Sequence, residues 1–267
     1  MLDTTTAELA AAELLRQHTA RQPFAGLASP WALADPADAY RVQDAYVARL
    51  LGVRNTTLRG YKIALTTPAM REMVGFHDSV SGRLLADQIV PSGHVLAARD
   101  YVRLIVEFEI AFEMARDLPA SAQPWTGTSI LAHVACAYPA IEIADDRCAD
   151  YATLNRAILT LAADNAWNQG LALGAPVRGL GYDMLRDVVG IALLDGHEVG
   201  RGSGRDVLGH PLGALAWLAN HVQDRGLSLR RGDIVTTGSL VKSQFPHSGA
   251  QIRFVLPDFG EVSLSVA

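Results

Sequence analysis

The run Arg103-Leu104-Ile105-Val106-Glu107-Phe108-Glu109-Ile110-Ala111-Phe112 constrains the fold more than any other stretch. It is apolar, β-branched at its centre and long enough for a central strand buried on both faces, or nearly so. Glu107 and Glu109 interrupt it. Side chains alternate along a strand, so both carboxylates project from one face, roughly 7 Å apart by two strand rises. Two like charges on a mostly apolar strand are costly unless something positive lies between them. A divalent cation meets that requirement. So does a wet face on which both glutamates are solvated.

The remaining chain has ample material to bury such a strand. Of its 267 residues 49% are apolar, enough for one large domain with a sizeable core. A net charge of −5, with no Lys/Arg block or basic stripe, argues against a nucleic-acid partner. No apolar run reaches the length of a membrane span. Met1 to Thr6 lack the charged and apolar regions of a secretion signal. Cys136 and Cys148 lack metal-ligand spacing and read as ordinary thiols of a reducing compartment. A cytoplasmic protein with neither membrane nor nucleic-acid partner is expected, and its size favours an enzyme.

Two helices are predicted first, over 7–21 with Leu9, Leu14 and Leu15 near one face, and over 39–51 with Asp38 as N-cap and a core stripe of Tyr40, Val42, Tyr46, Val47 and Leu50. A strand over 58–65 carries Lys62. Thr67-Pro68 starts a short helix. The small, polar segment 76–82 reads as a loop that walls a pocket. Short strands around 89–95 precede the Glu107/Glu109 strand. A Pro/Gly/Ser/Thr loop spans 117–127, 130–137 reads as helix, and 139–144 reads as a buried strand holding Glu142. A helix over 154–163 follows, then strands at 170–173 and 188–194 and a hairpin turn at Asp195-Gly196-His197. Arg201 to Arg205 read as a Gly-rich loop without the features of a phosphate loop. His210-Pro211 open a helix to Asp224, and strands at 233–237, 251–256 and 261–266 complete an α+β pattern with a mixed sheet. No repeat or linker divides the chain: a single domain over 1–267 is expected, with an N-terminal helical segment (1–55) and a β-rich part (56–267).

Glu107, Glu109 and Glu142 share one anomaly, a carboxylate inside an apolar strand-like run. Three carboxylates suit a hard cation such as Mg²⁺ or Mn²⁺, not zinc, which would want His or Cys. Six collinear segments resemble the 2-keto-4-pentenoate hydratases and the related 4-oxalocrotonate decarboxylases of the fumarylacetoacetase superfamily. They are Gly60 to Thr67, Val106 to Phe112, Pro139 to Arg147, Ala163 to Ala166, Val207 to Pro211 with Ala216 to Asn220, and Thr237 to Ser239. The resemblance implies a mixed β-roll or barrel with outer helices, assembled as a homo-oligomer. It implies Glu107, Glu109 and Glu142 as ligands of Mg²⁺ or Mn²⁺, Lys62 as the neighbouring acid/base, and Gly238 and Ser239 as the seat of a substrate carboxylate. The substrates implied are 2-hydroxy-2,4-dienoates or 2-oxo-enoates from the meta-cleavage of aromatic compounds.

One position departs from the pattern. Hydratases of this kind commonly carry Asp in a Pro-Asp-Phe/Tyr-Gly loop, and this chain has Val80 within Ser79-Val80-Ser81-Gly82. Val80 then lines the substrate pocket, and His77 and Asp78, just upstream, are the polar candidates that remain. A hydratase is the first expectation and a decarboxylase the second, since one electron sink serves both reactions. A fumarylacetoacetase-type C–C hydrolase is a third, disfavoured because no glutamate closely follows His77. A non-catalytic relative is a fourth, disfavoured by the retained acids. The other histidines read as packing or surface residues, His210 as a helix start. Trp167 and Trp217 read as core, Lys242 as a loop lysine. Asp145, Asp146 and Arg147 read either as a network around Glu142 or as a solvated strand end.

Overall fold

The 103–112 run becomes a strand because one long neighbour pairs with it from end to end, two short strands share its other edge, and an apolar layer covers the face opposite its acids. In the computed structural model, which describes residues 2–267, β-structure begins after two helices, α1 (Thr4–Thr19) and α2 (Pro36–Arg54). The order is then β1 (Leu58–Ala64), α3 (Pro68–Val74), β2 (Val80–Leu85), β3 (Ile89–Pro91), β4 (His94–Leu96), β5 (Leu104–Met114), α4 (Gly127–Leu131) and β6 (Val134–Asp145). There follow α5 (Ile158–Ala163), β7 (Asn168–Leu173), α6 (Tyr182–Asp187), β8 (Val189–Leu194), β9 (His197–Ser203), α7 (Pro211–Asp224), β10 (Ile234–Thr236), β11 (Val241–Gln244), β12 (Gln251–Leu256) and β13 (Gly260–Val266).

An 8-stranded sheet runs β2-β1-β10-β5-β6-β7-β3, with β11 also pairing β5. A second sheet of 5 strands runs β4-β13-β12-β8-β9. Phe108, Ile110 and Phe112 of β5 and Ile141 and Ile143 of β6 share one core with Ile252, Phe254 and Leu264 of the second sheet and Leu215, Leu218 and Val222 of α7. The large sheet curls on its other face into a half-barrel. There α1, α2 and α5 pack Leu14, Val42, Tyr46 and Leu161 near Ile105, Ala144 and Val80. The acids of β5 and β6 belong to this second face. This is the mixed β-roll with outer helices that the resemblance implies. No helix of the described residues is long and apolar enough to cross a membrane.

Five local expectations are corrected. Residues 80–82 are strand, not loop: Val80 pairs with Ala64 and Gly82 with Lys62, and Ser81 is buried in spite of its polarity, its backbone N–H donating to the Tyr40 hydroxyl. Residues 130–137 are not one helix, because α4 ends at Leu131 and Val134 already pairs with β5. A short apolar run cannot by itself be assigned to helix or strand, and pairing with β5 decides. Arg201 to Ser203 continue β9 against β8. The N-cap of α2 is Asp35, whose side chain accepts from Asp38 N–H, while Asp38 is buried and accepts from Leu2 N–H. On α1 the buried face is Ala7, Ala10, Ala11 and Leu14, and Leu9 is exposed.

Candidate metal centre

Strand parity and antiparallel register together assemble the acids. Glu107 lies directly across from Glu142 on β6, and Glu109 lies two residues further along β5, across from Ala140. One carboxylate oxygen from each of Glu107, Glu109 and Glu142 falls within 4.8 Å of the others. Glu109 and Glu142 are completely buried and Glu107 is partly open. The wet-face alternative therefore fails for two of the three.

Lys62 enters from β1, two strands away from β5. The intervening β10 has only 3 residues and stops at Thr236, level with Lys62, so beyond it the lysine is not screened from the acids. Its Nζ lies 3.2 Å from Glu142 Oε1 and donates to the Ala166 carbonyl at 3.4 Å. The chain between β10 and β11 crosses Glu109, and Gly238 N–H donates to Glu109 Oε2 at 2.7 Å. Gly238 has φ +98°, and a Cβ there would sit 2.2 Å from Thr66 Oγ1, so only glycine brings the amide this close.

Donors are too few for the acids. Ser243 Oγ donates to Glu107 Oε1 at 2.6 Å, and Asn168 Nδ2 donates to Glu142 Oε1 at 2.9 Å. Glu109 Oε1 and Glu142 Oε2 are buried with no donor at all. Burial first, then the charges of Glu142 and Glu107, push the Glu109 carboxyl well above the usual range. Burial likewise raises Glu142, against the pull of Lys62. For Lys62 burial alone would favour the neutral amine, but Glu142, Glu107 and Glu109 outweigh it and hold the ammonium. Two orphaned carboxylate oxygens, all-oxygen donors and an excess of negative charge fit a hard divalent cation. The resemblance assigned the same three residues as ligands.

The side chains of the other predicted site residues form no hydrogen bond with the three carboxylates. His77 and Asp78 are exposed at the end of the loop before β2, and Asp78 Oδ1 accepts from Trp217 Nε1 at 2.9 Å. Val80 is 1% exposed and begins β2 beside Ala64. Ser239 Oγ accepts from Phe108 N–H at 2.8 Å and donates to the Val241 carbonyl at 2.6 Å, so its hydroxyl is engaged by the backbone of β5 and β11. Asp145, Asp146 and Arg147 are buried but form no hydrogen bond with Glu142, so neither reading of them survives: their partners are each other, Gln22, Val102, Arg103, Cys148, Tyr151 and Asp164. His210 caps α7 by accepting from Leu212 N–H, as a helix start should. Asn168, Ser243 and the Ala166 carbonyl escaped the sequence reading, because a neutral polar residue in a turn or on an edge strand carries no local sign of what it faces.

No family profile matches the chain. Among curated proteins, the 2-keto-4-pentenoate hydratase 2 of Dechloromonas aromatica (strain RCB) is 34% identical over 266 residues, covering 98% of each chain. The 2-oxo-hept-4-ene-1,7-dioate hydratase of Escherichia coli is 28% identical over 267 residues, again with 98% of each covered. Among solved structures, the 4-oxalocrotonate decarboxylase of Pseudomonas putida G7, complexed with magnesium and adipate, superposes with a TM-score of 0.89 at 23% identity, covering 100% of this chain and 99% of that one.

Proposed function

The chain belongs to the 2-keto-4-pentenoate hydratase family, and from that premise we propose that it is a divalent-metal-dependent lyase that adds water to a 2-hydroxy-2,4-dienoate, giving a 4-hydroxy-2-oxo acid in aromatic-compound catabolism. The observation that carries the reading is the buried set Glu107, Glu109 and Glu142, with two carboxylate oxygens that have no donor, beside Lys62. These three glutamates would hold the ion, with Mg²⁺ favoured and Mn²⁺ a substitute. When bound, such an ion supplies a Lewis acid toward the substrate's C1 carboxylate and C2 oxygen.

The chain's own groups do the rest. Lys62 Nζ keeps a proton beside Glu142 and is oriented by the Ala166 carbonyl, so it is placed to move protons as the dienol becomes a 2-oxo-3-enoate. That ketonisation protonates C5 and removes the C2 hydroxyl proton. Water then adds its oxygen to C4 and a proton to C3. Burial of Glu109 and Glu142 excludes bulk water from two of the three acids and leaves the partly open Glu107 toward the substrate side. Gly238 N–H, already on Glu109, fixes that side chain, and the loop it begins borders the seat proposed for the substrate carboxylate.

Decarboxylation is the second reading, and Val80 favours it. An apolar, buried residue stands where the hydratases commonly carry an acid, and Asp78 is held by Trp217. Loss of CO₂ from a 2-oxo-3-enedioate would use the same electron sink. Incubation of the Mg²⁺-loaded protein with 2-hydroxypenta-2,4-dienoate and with 2-oxohex-3-enedioate, followed by NMR, distinguishes them. Hydrated product supports the first reading and CO₂ release the second; neither product from either substrate refutes the lyase assignment. A homo-oligomer belongs to the same proposal, and a sedimentation mass equal to one chain would count against it.

A further inference from the structure

Glu142 is aimed by the segment that precedes β7. Asn165, Ala166 and Trp167 have φ of 52°, 49° and 62°, the left-handed region that residues with a Cβ seldom enter. Three in succession persist only where the surroundings over-determine them. The surroundings do so here. Asn165 is clamped to β2 at both ends of its amide: Arg83 N–H donates to Oδ1 at 2.6 Å, and Nδ2 donates to the Arg83 carbonyl at 2.9 Å. Gly82 leaves room for this approach, since a Cβ there would lie 2.7 Å from the Asn165 carbonyl oxygen. The result is that one turn touches both Lys62, through the Ala166 carbonyl, and Glu142, through Asn168 Nδ2.

Asn168 is 5% exposed, and its amide has only one workable orientation. Reversing it would set Oδ1 against the Glu142 carboxylate, acceptor to acceptor. We propose that Asn168 is a positioning residue for the metal centre: the left-handed turn directs its amide N–H to Glu142 Oε1, which leaves Oε2 as the ligating oxygen. This rests on reading Glu107, Glu109 and Glu142 as ligands. The division of labour is visible in the bonds, since Oε1 meets Asn168 and Lys62 while Oε2 meets no donor. A neutral donor suits the task because it orients the carboxylate without cancelling its charge. Without it, Lys62 is the remaining partner on Oε1, free to draw the carboxylate toward itself and compete with the cation.

The test is Mn²⁺ titration of the metal-free, full-length protein, with free Mn²⁺ read by electron paramagnetic resonance. Asn168→Leu removes the donor while keeping the branched skeleton and should weaken Mn²⁺ binding about 10–100-fold, the usual loss when a hydrogen-bond partner of a ligand is removed. Asn168→Ser keeps a short donor and should recover part of that loss. If the leucine variant does not fold, Asn168→Ala, which adds no bulk, stands in for it with the same readings. A folded variant that lacks the donor and binds Mn²⁺ as tightly as the wild type overturns the proposal, even if its melting temperature falls. Failure of the wild type to bind Mn²⁺ would overturn both this proposal and the ligand assignment beneath it.

Discussion

Two clusters of acids meet on β6, which carries Glu142 of one and Asp145 of the other, and they behave oppositely. Asp145, Asp146 and Asp164 form one, Glu107, Glu109 and Glu142 the other. Every oxygen of the aspartates has a donor. Asp145 accepts from the N–H groups of Val102, Arg103 and Arg147. Asp146 takes both arms of Arg103 and the Tyr151 hydroxyl. Asp164 joins His18 at 2.5 Å and Arg147 at 2.6 Å, tying α1 to the β-sheet part. For Asp164, burial would raise the carboxyl, but His18 and Arg147 overcome it and hold it below the usual range. For Glu109 the balance runs the other way. Saturated acids hold a fold together; acids left short of donors mark a place that binds something.

The sharpest way to break this contrast is to neutralise one acid in each cluster. Glu109→Gln should abolish Mg²⁺ binding and lower turnover by about a thousandfold or more, since Lewis-acid stabilisation is worth several kcal/mol. The metal-free variant should be no less stable than the wild type, because an unpaired buried charge has been removed. Calorimetric titration and a steady-state assay check both. Persistence of Mg²⁺ binding would end the ligand assignment.

Asp164→Asn should do the reverse, leaving Mg²⁺ affinity of the folded protein unchanged while Arg147 loses its counter-charge in a site 1% exposed. Breaking a buried pair costs about 3–5 kcal/mol, readable as a lower urea midpoint. Mg²⁺ at a hundred times its Kd should stabilise the wild type by about 2.7 kcal/mol, and Asp164→Asn equally, but not Glu109→Gln. A thermal scan with and without the ion decides.

Acid should separate the clusters least, but with a definite sign. The Asp164 carboxyl is depressed below its unfolded value of 3.8, so the unfolded chain takes up the proton first as pH falls. The stability this group contributes is fully present above 3.8 and is lost as pH falls through its lower folded value. Unfolding free energy of the wild type should therefore slope downward in that acid window, and Asp164→Asn should lessen the slope. An unchanged slope would mean that other carboxylates dominate.

Much of the centre was legible because it depends on rules the chain carries locally. Period-2 alternation places Glu107 and Glu109 on one face, and their cost in an apolar run flags them. The same reasoning finds Glu142, and the collinear segments bring in Lys62. The alternation could not say whether that face was wet, because burial depends on α1, α2 and α5, which arrive from elsewhere in the chain. Nor could it rank Glu142 against Asp145 and Asp146, since the count of donors around each is a property of the packed molecule.

What the sequence determined by itself was a strand with an electrostatic deficit, the identity of its acids and the family to which the whole pattern belongs. Tertiary structure alone decided which acids go unpaired, that Lys62 reaches them past the short β10, and that a left-handed turn clamped to β2 aims Asn168 at Glu142. The physical reason is range. Side-chain alternation and the cost of a buried charge act along the chain and can be read from neighbours, whereas hydrogen-bond satisfaction is settled by groups brought together from distant positions, such as Asn168 and Glu142 across β7 and β6.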